Sequence, residues 1–321
     1  MSVERVLLKE ELTALREKLN QHLRQTNEPN PLQSLLQQLY PDTSERAVLL
    51  AQLDDLKQCL DSFRPFHPQQ VENLLEALTV KYTYESNRIE GNSLTLSETR
   101  QVLDHGLTIG GKPLKDHLEA TNHHQAIGFL QRLVKQKEPL TERILLEIHA
   151  IILNGIDREN AGFYRRMNVH IAGSIHICPN HLKVPELMED YFSFYTKTKS
   201  TKAKSQWHPV ELASAMHLRL VTIHPFIDGN GRCARLIMNL ILMQNGFPIT
   251  IISANPRERN AYYDALEQSH SQDNHDDFTL LIGRCVKEGF FRYLDTLAIN
   301  GEPSEEEKGR HFFRRLQEVL P

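Results

Sequence analysis

The sequence predicts a mostly α protein: a helical core carrying one short β-hairpin, preceded by a helical N-terminal region. Two observations carry this reading. Apolar residues recur at three- and four-residue spacing through most of the 321-residue chain, which is the period of a half-buried helix. Strict alternation of apolar and polar residues, the period of a strand, is confined to residues 166–177.

Leu8, Leu12, Leu15, Leu19 and Leu23 line the first helix, and the Asn- and Pro-containing run at 27–31 ends it. Helices over 32–39 and 44–60 follow, the second behind Asp42 and Thr43 as capping residues. A break at 64–68 closes a helical N-terminal region, residues 1–66. Val71, Leu74, Leu75, Leu78 and Tyr82 then stripe a helix that ends near Glu90, where Gly91 suits the left-handed residue that closes a helix. The same periodicity places helices over 94–104, 114–135, 141–152, 185–197, 208–223, 257–270 and 277–298. The charged tail, residues 300–321, is read as a peripheral helix. The hairpin, residues 166–178, turns at Gly173-Ser174.

Composition narrows the function classes. Forty per cent apolar and 24 % charged residues describe an ordinary globular protein. The net charge of -4 gives no electrostatic reason to expect nucleic acid as a partner. The basic stretch from Lys197 and Lys199 through Lys202 and Lys204 is read as a solvated loop. Cys59, Cys178, Cys233 and Cys285 lie far apart, as free thiols in a reducing compartment do. No run approaches the roughly 20 apolar residues that span a bilayer, and charges interrupt the N-terminus where a signal peptide would be apolar. These observations predict a cytoplasmic protein without a membrane partner.

Chemistry is concentrated in His-Pro-Phe-Ile-Asp-Gly-Asn-Gly-Arg-Cys-Ala-Arg, His224 to Arg235. Pro225 restricts the residue before it and ends the preceding helix. Gly229, Asn230 and Gly231 make a tight turn into a helix opening at Arg232. A glycine turn at a helix N-terminus presents backbone N–H groups and the positive end of the helix dipole, both of which favour phosphate. Arg232 and Arg235, three apart, can address one polyanion with planar forks. Asp228 supplies a hard oxygen ligand suited to Mg²⁺. His224, with an ordinary pKa of about 6.5, suits a general base. The helix after Arg235 is apolar nearly all round and is expected to be buried.

This segment resembles the signature of the Fic family, His-Pro-Phe-x-Asp/Glu-Gly-Asn-Gly-Arg-x-x-Arg, at every specified position. The resemblance also covers Gly162–Arg165 and the stretch 260–263, and spans roughly residues 67–299. It implies a Fic-type helical core and transfer of AMP from ATP to a Ser, Thr or Tyr hydroxyl of a protein, with Mg²⁺. On this resemblance His224 deprotonates the hydroxyl and Asp228 holds Mg²⁺. Gly229, Asn230 and Gly231 line the anion hole, Arg232 faces the β-phosphate, and Arg235 the γ-phosphate.

The resemblance extends to regulation. Ser86-x-x-x-Glu90-Gly91 is similar to the inhibitory motif of Fic proteins that carry it N-terminal to the core, on a helix here over about 70–91. It implies that Glu90 pairs with Arg235 and blocks the γ-phosphate position. The hairpin resembles the family's flap, and Val169, His170 and Ile171 would pair with an extended target segment. Tyr262 and Tyr263 are candidates to stack on adenine, though either ring could instead belong to the core. His270 is a weaker candidate for the same pocket. Two other readings stand beside AMP transfer: removal of AMP from a modified protein by the same site, and nucleotide sensing without turnover. The target, self-modification and a homodimer are left open.

Overall fold

The computed structural model describes residues 9–66, 68–199, 207–272, 275–300 and 308–321. Leu8, His67, Lys202, Lys204 and the first half of the charged tail, residues 301–307, lie outside the described residues. In chain order the helices are α1 (Lys9–Gln25), α2 (Pro31–Leu39), α3 (Arg46–Asp61), α4 (Pro68–Ile89), α5 (Leu96–His105), α6 (Leu114–Gln136) and α7 (Glu142–Ile152). They continue with α8 (Val184–Lys199), α9 (Pro209–Ile223), α10 (Asn230–Gln244), α11 (Pro256–Gln272), α12 (Asp276–Asn300) and α13 (Arg310–Leu316). No helix is long and apolar enough to cross a membrane among the described residues.

Local chemistry sets these ends. Pro31 and Pro209 each sit at the start of a helix, where a missing N–H costs no intrahelical bond. Thr95 and Glu98 form a capping box on α5, worth about 1 kcal/mol. Gly91 closes the turn after α4 at φ +96, a conformation a β-carbon disfavours.

One compact unit comprises Met1–Glu76 with Val286–Pro321, the other Ala77–Cys285. These units part within the long helices α4 and α12.

In the first unit α13 packs on α1, α2 and α3. The tail is not peripheral: Phe312, Phe313 and Leu316 fall on one face of α13 and are buried. The Phe312 ring lies 5.5 Å from that of Phe63. The charges of the tail mask this apolar face in composition.

In the second unit α10 is the central element. Its side chains from Arg232 to Leu242 are buried, as an all-round apolar pattern dictates. α9 lies along α10, α6 and α7 flank it, α5 packs on α6, and α8 and α11 pack on α9. The short connection 224–229 brings the end of α9 and the start of α10 together, and that junction is the signature segment.

The expected β-hairpin does not form. Residues 168–180 are two irregular arms around a turn at Ala172-Gly173, with no strand assigned among the described residues. Ser174 N donates to Ile171 O at 3.2 Å to close the turn. The arms are tied to neighbouring elements, and at their stems to each other through Asn168 and His181. His176 Nε2 donates to Thr222 O at 2.9 Å, Ser174 Oγ donates to the Glu267 carboxylate, and the amide of His181 donates to Asn168 Oδ1 at 2.9 Å. A lone two-stranded ladder is marginal in water, and these side-chain anchors replace it.

Candidate active site

His224 caps α9 in the left-handed region, φ +51, with its amide on Leu220 O at 2.9 Å. Its Nδ1 lies 3.3 Å from Val221 O. A carbonyl only accepts, so Nδ1 carries the proton and Nε2 keeps its lone pair. Burial pushes the ring down to about 4, which leaves it neutral, and able to take a proton, at neutral pH.

The turn that follows is stapled by Asn230. Its Oδ1 accepts from Phe226 N and its Nδ2 donates to Phe226 O, each at 2.9 Å. The Asn230 side chain is therefore committed within the loop; what it offers an anion is its backbone. Gly229 adopts φ +81, and a β-carbon there would meet Ile152 and His149. Asp228 Oδ1 accepts from Gly229 N at 2.6 Å and from Arg232 Nη2 at 3.1 Å. Burial opposes ionisation of Asp228, but the Arg232 charge, the Gly229 amide and Lys115 outweigh it and hold the carboxyl below its ordinary range. Asp228 Oδ2 faces Lys115 Nζ at 3.8 Å, long for a hydrogen bond, so that oxygen is available to a divalent cation.

The two arginines have different surroundings. Arg232, expected to face a phosphate, is 2 % exposed. Its Nη1 donates to Glu119 Oε1 at 3.0 Å while Nη2 holds Asp228. As built it orients the Asp228 carboxylate. Sequence reading missed Glu119, which supplies the buried countercharge. The available signal was that Asp116, Glu119 and His123 continue the apolar stripe of α6 at helical spacing, so polar groups occupy its inward face.

Arg235 is 1 % exposed and is gripped by the end of α4. Its Nε donates to Ser86 Oγ at 3.0 Å, and Nη2 donates to Ser86 O at 2.9 Å and to Glu90 Oε1 at 2.7 Å. Burial alone would weaken its charge, but Glu90 outweighs burial and strengthens it. The Glu90 carboxylate also lies directly over Gly231: a β-carbon added there would overlap Oε1 and come within 3.1 Å of Arg235 Nη1. Glu90 thus occupies the mouth of the α10 N-terminus, where backbone amides favour an anion.

The tyrosines separate. Tyr262 is 1 % exposed; its hydroxyl meets His217 Nε2 at 3.0 Å, and Arg235 Nη1 reaches it at 3.5 Å. It is a core ring that supports Arg235 and has no face open to a base. Tyr263 is 37 % exposed, with the Arg259 guanidinium over its ring and its hydroxyl donating to Ile89 O at 3.1 Å. It holds the end of α4 next to Glu90. His270 stacks on His176 with centroids 4.1 Å apart and has its Nδ1 3.1 Å from Thr222 Oγ1. Val169 and Ile171 are half-buried and His170 exposed on the first arm of the turn.

Two further residues hold the loop from behind. His149 Nδ1 accepts from Gly162 N at 2.9 Å, so its Nε2 carries the hydrogen and donates to Asp228 O at 3.1 Å. Its ring stacks on Phe226 with centroids 3.7 Å apart. Arg165 donates through Nε to His224 O at 2.8 Å. His149 did not stand out in the sequence, since a single His in a helix carries no period of its own; Arg165 stood there only as the end of the Gly162–Arg165 stretch, with no role assigned.

Known proteins resemble this chain in sequence and in fold. The sequence profile of the Fic/DOC family matches residues 139–242. The chain is 33 % identical over 255 residues to the protein adenylyltransferase Fic of Nematostella vectensis, covering 78 % of this chain and 57 % of that protein. It is 34 % identical over 214 residues to the one from Drosophila yakuba, covering 67 % and 41 %. The chain thus spans about half the length of the curated relatives it matches. Among solved structures, a Fic domain-containing signaling protein from Bacteroides thetaiotaomicron superposes with a TM-score of 0.68 at 27 % identity, over 79 % of this chain and 98 % of that one. Fic-1 from C. elegans, residues 134–508, does so at 0.69 and 26 %, over 89 % and 86 %.

Proposed function

This chain carries a Fic domain, and we propose that it moves AMP from ATP to a hydroxyl of a protein, with Glu90 holding that activity off at rest. The observation that carries the reading is His224, whose Nδ1 faces Val221 O and leaves Nε2 to take a proton, beside a glycine turn that opens α10 with Asp228, Arg232 and Arg235 around it. Relatives at 33 and 34 % identity bear the name protein adenylyltransferase.

In the reaction, Nε2 of His224 takes the proton of the target hydroxyl as its oxygen attacks the α-phosphorus. The bond from that phosphorus to the bridging oxygen of the β-phosphate breaks and pyrophosphate leaves. Phosphoryl transfer asks for positioning and charge neutralisation more than for covalent help, and the backbone of 229–231 with Arg235 supplies both. A single carboxylate with an open oxygen fits Mg²⁺, which keeps waters and phosphates as its other ligands. Asp228 would hold it, and the ion would neutralise phosphate charge. Arg232 and Lys115 balance the acidic groups around that position.

Glu90 opposes this arrangement in two ways. It pairs with Arg235, the group assigned to the γ-phosphate, and it fills the space over Gly231 that a phosphate would use. A charged hydrogen bond contributes about 1.5–3 kcal/mol, which at about 1.4 kcal/mol per factor of ten corresponds to suppression on the order of 10- to 100-fold.

The turn at 166–178 serves as the target-docking flap in this reading. Met167, Ile175 and Ile177 are 62 %, 81 % and 83 % exposed, an apolar surface that suits an extended polypeptide. The test uses Glu90→Gly protein with ATP labelled at the α- or the γ-phosphate and a cell lysate. Protein label from the α position alone supports AMP transfer; label from γ means a kinase and refutes it.

A further inference from the structure

Arg165 is 3 % exposed, and all three of its guanidinium nitrogens donate to main-chain oxygens: Nε to His224 O at 2.8 Å, Nη1 to Met167 O at 3.0 Å and Nη2 to Pro179 O at 2.6 Å. Its own amide donates to Pro225 O at 2.8 Å. One residue therefore grips the peptides of His224 and Pro225 and both stems of the flap, since Met167 and Pro179 bracket the arms and their turn.

Two features make this grip consequential. His224 holds φ +51, a region that disfavours a residue with a β-carbon and persists only where the surroundings over-determine it. The flap arms share no ladder of backbone bonds; Asn168 joins the stems at His181, and the planar fork of Arg165 ties both stems to the peptide of His224. A guanidinium suits this role because its donors are fixed in one plane, whereas an ammonium offers one point.

We propose that Arg165 is a positioning residue that couples the flap to the catalytic base: a target segment seated on the flap fixes the two stems, and Arg165 transmits that order to the peptide carrying His224. This rests on the flap and base roles proposed above. It explains how a flap without a β-ladder could align a hydroxyl with Nε2, and why a buried cation is retained where its partners are carbonyls.

The test compares Arg165→Lys and Arg165→Met in the 321-residue Glu90→Gly chain. Lysine retains the charge but does not span the three oxygens. The expected result is ATP affinity within about threefold of the parent, a kcat for protein modification lower on the order of 10- to 100-fold, and faster amide exchange both in 168–178 and at 226–229. Unchanged kcat, or faster exchange in the flap alone, overturns the coupling. If neither variant folds, exchange in the parent decides: one shared opening free energy for the flap stems and the 226–229 turn supports the proposal, and independent openings refute it. Absence of α-phosphate label from the Glu90→Gly parent would sink the AMP-transfer reading while leaving the exchange measurement to judge Arg165.

Discussion

Glu90 Oε1 stands 2.7 Å from Arg235 Nη2 while the same carboxylate lies over the glycine that opens α10. The acid and the N-terminus of α10 fit because Gly231 has no β-carbon. The end of α4 is held at this point by several bonds. Ser86 takes two donors of Arg235, Tyr263 donates to Ile89 O, and Glu85 Oε2 accepts from Ala254 N at 2.7 Å. Displacing Glu90 requires the end of α4 to move or its side chain to swing.

Gly231→Ala separates the two parts of the brake. The added methyl would displace Glu90 but would itself occupy the phosphate position. Modification activity is expected to stay low, and in a Glu90→Gly background the change should weaken ATP binding on the order of tenfold or more, about 1.4 kcal/mol. Calorimetry of ATP binding checks this, and unaltered affinity would place the phosphates elsewhere.

Asp228→Asn removes a charge from the carboxylate assigned to Mg²⁺ while preserving the acceptor for Gly229 N and Arg232. In a Glu90→Gly background the Mg²⁺ concentration needed for half-maximal activity should rise on the order of tenfold, and chelation should silence the parent. A Mg²⁺ titration that is the same for both proteins would contradict the assignment.

Ile171→Glu places a charge on the half-buried first arm of the flap. Target modification should fall on the order of tenfold or more with ATP affinity retained. Parallel loss of ATP binding would show that this arm serves the nucleotide instead.

Acid should destabilise the fold in a defined window. His123 and His217 are fully buried, and burial holds both well below their ordinary pKa; His224 and His270 are pushed down to about 4. Between about pH 6.5 and 4 the unfolded chain binds protons on His224 and His270 that the folded chain does not, and His123 and His217 act in the same direction. Stability is therefore full above about 6.5 and falls as pH drops. Urea midpoints that stay level from pH 7 to pH 5 would refute this.

Much of the fold was legible because its signals are local. Stripes, caps and breakers placed α5, α6, α7, α9 and α10 to within about two residues, the usual uncertainty of helix ends. The junction at His224–Arg235 was equally legible, since its proline, glycines and charges act within one turn. What escaped depends on distant partners. Arg232 turned inward because Glu119, more than a hundred positions away, waits on α6. Alternation from 166 to 177 predicts a hairpin that is not borne out; the arms are anchored instead by Thr222 and Glu267, far along the chain. Tyr262 and Tyr263 are adjacent in sequence and lie on opposite sides of the burial boundary, which the period of α11 alone left undecided.

The most direct test of the central claim measures the initial rate of α-phosphate label incorporation into protein from labelled ATP, for the native sequence and for Glu90→Gly side by side. The account predicts a rate higher on the order of 10- to 100-fold for Glu90→Gly, abolished when His224→Ala is added. Equal rates for the two proteins would contradict a brake at Glu90.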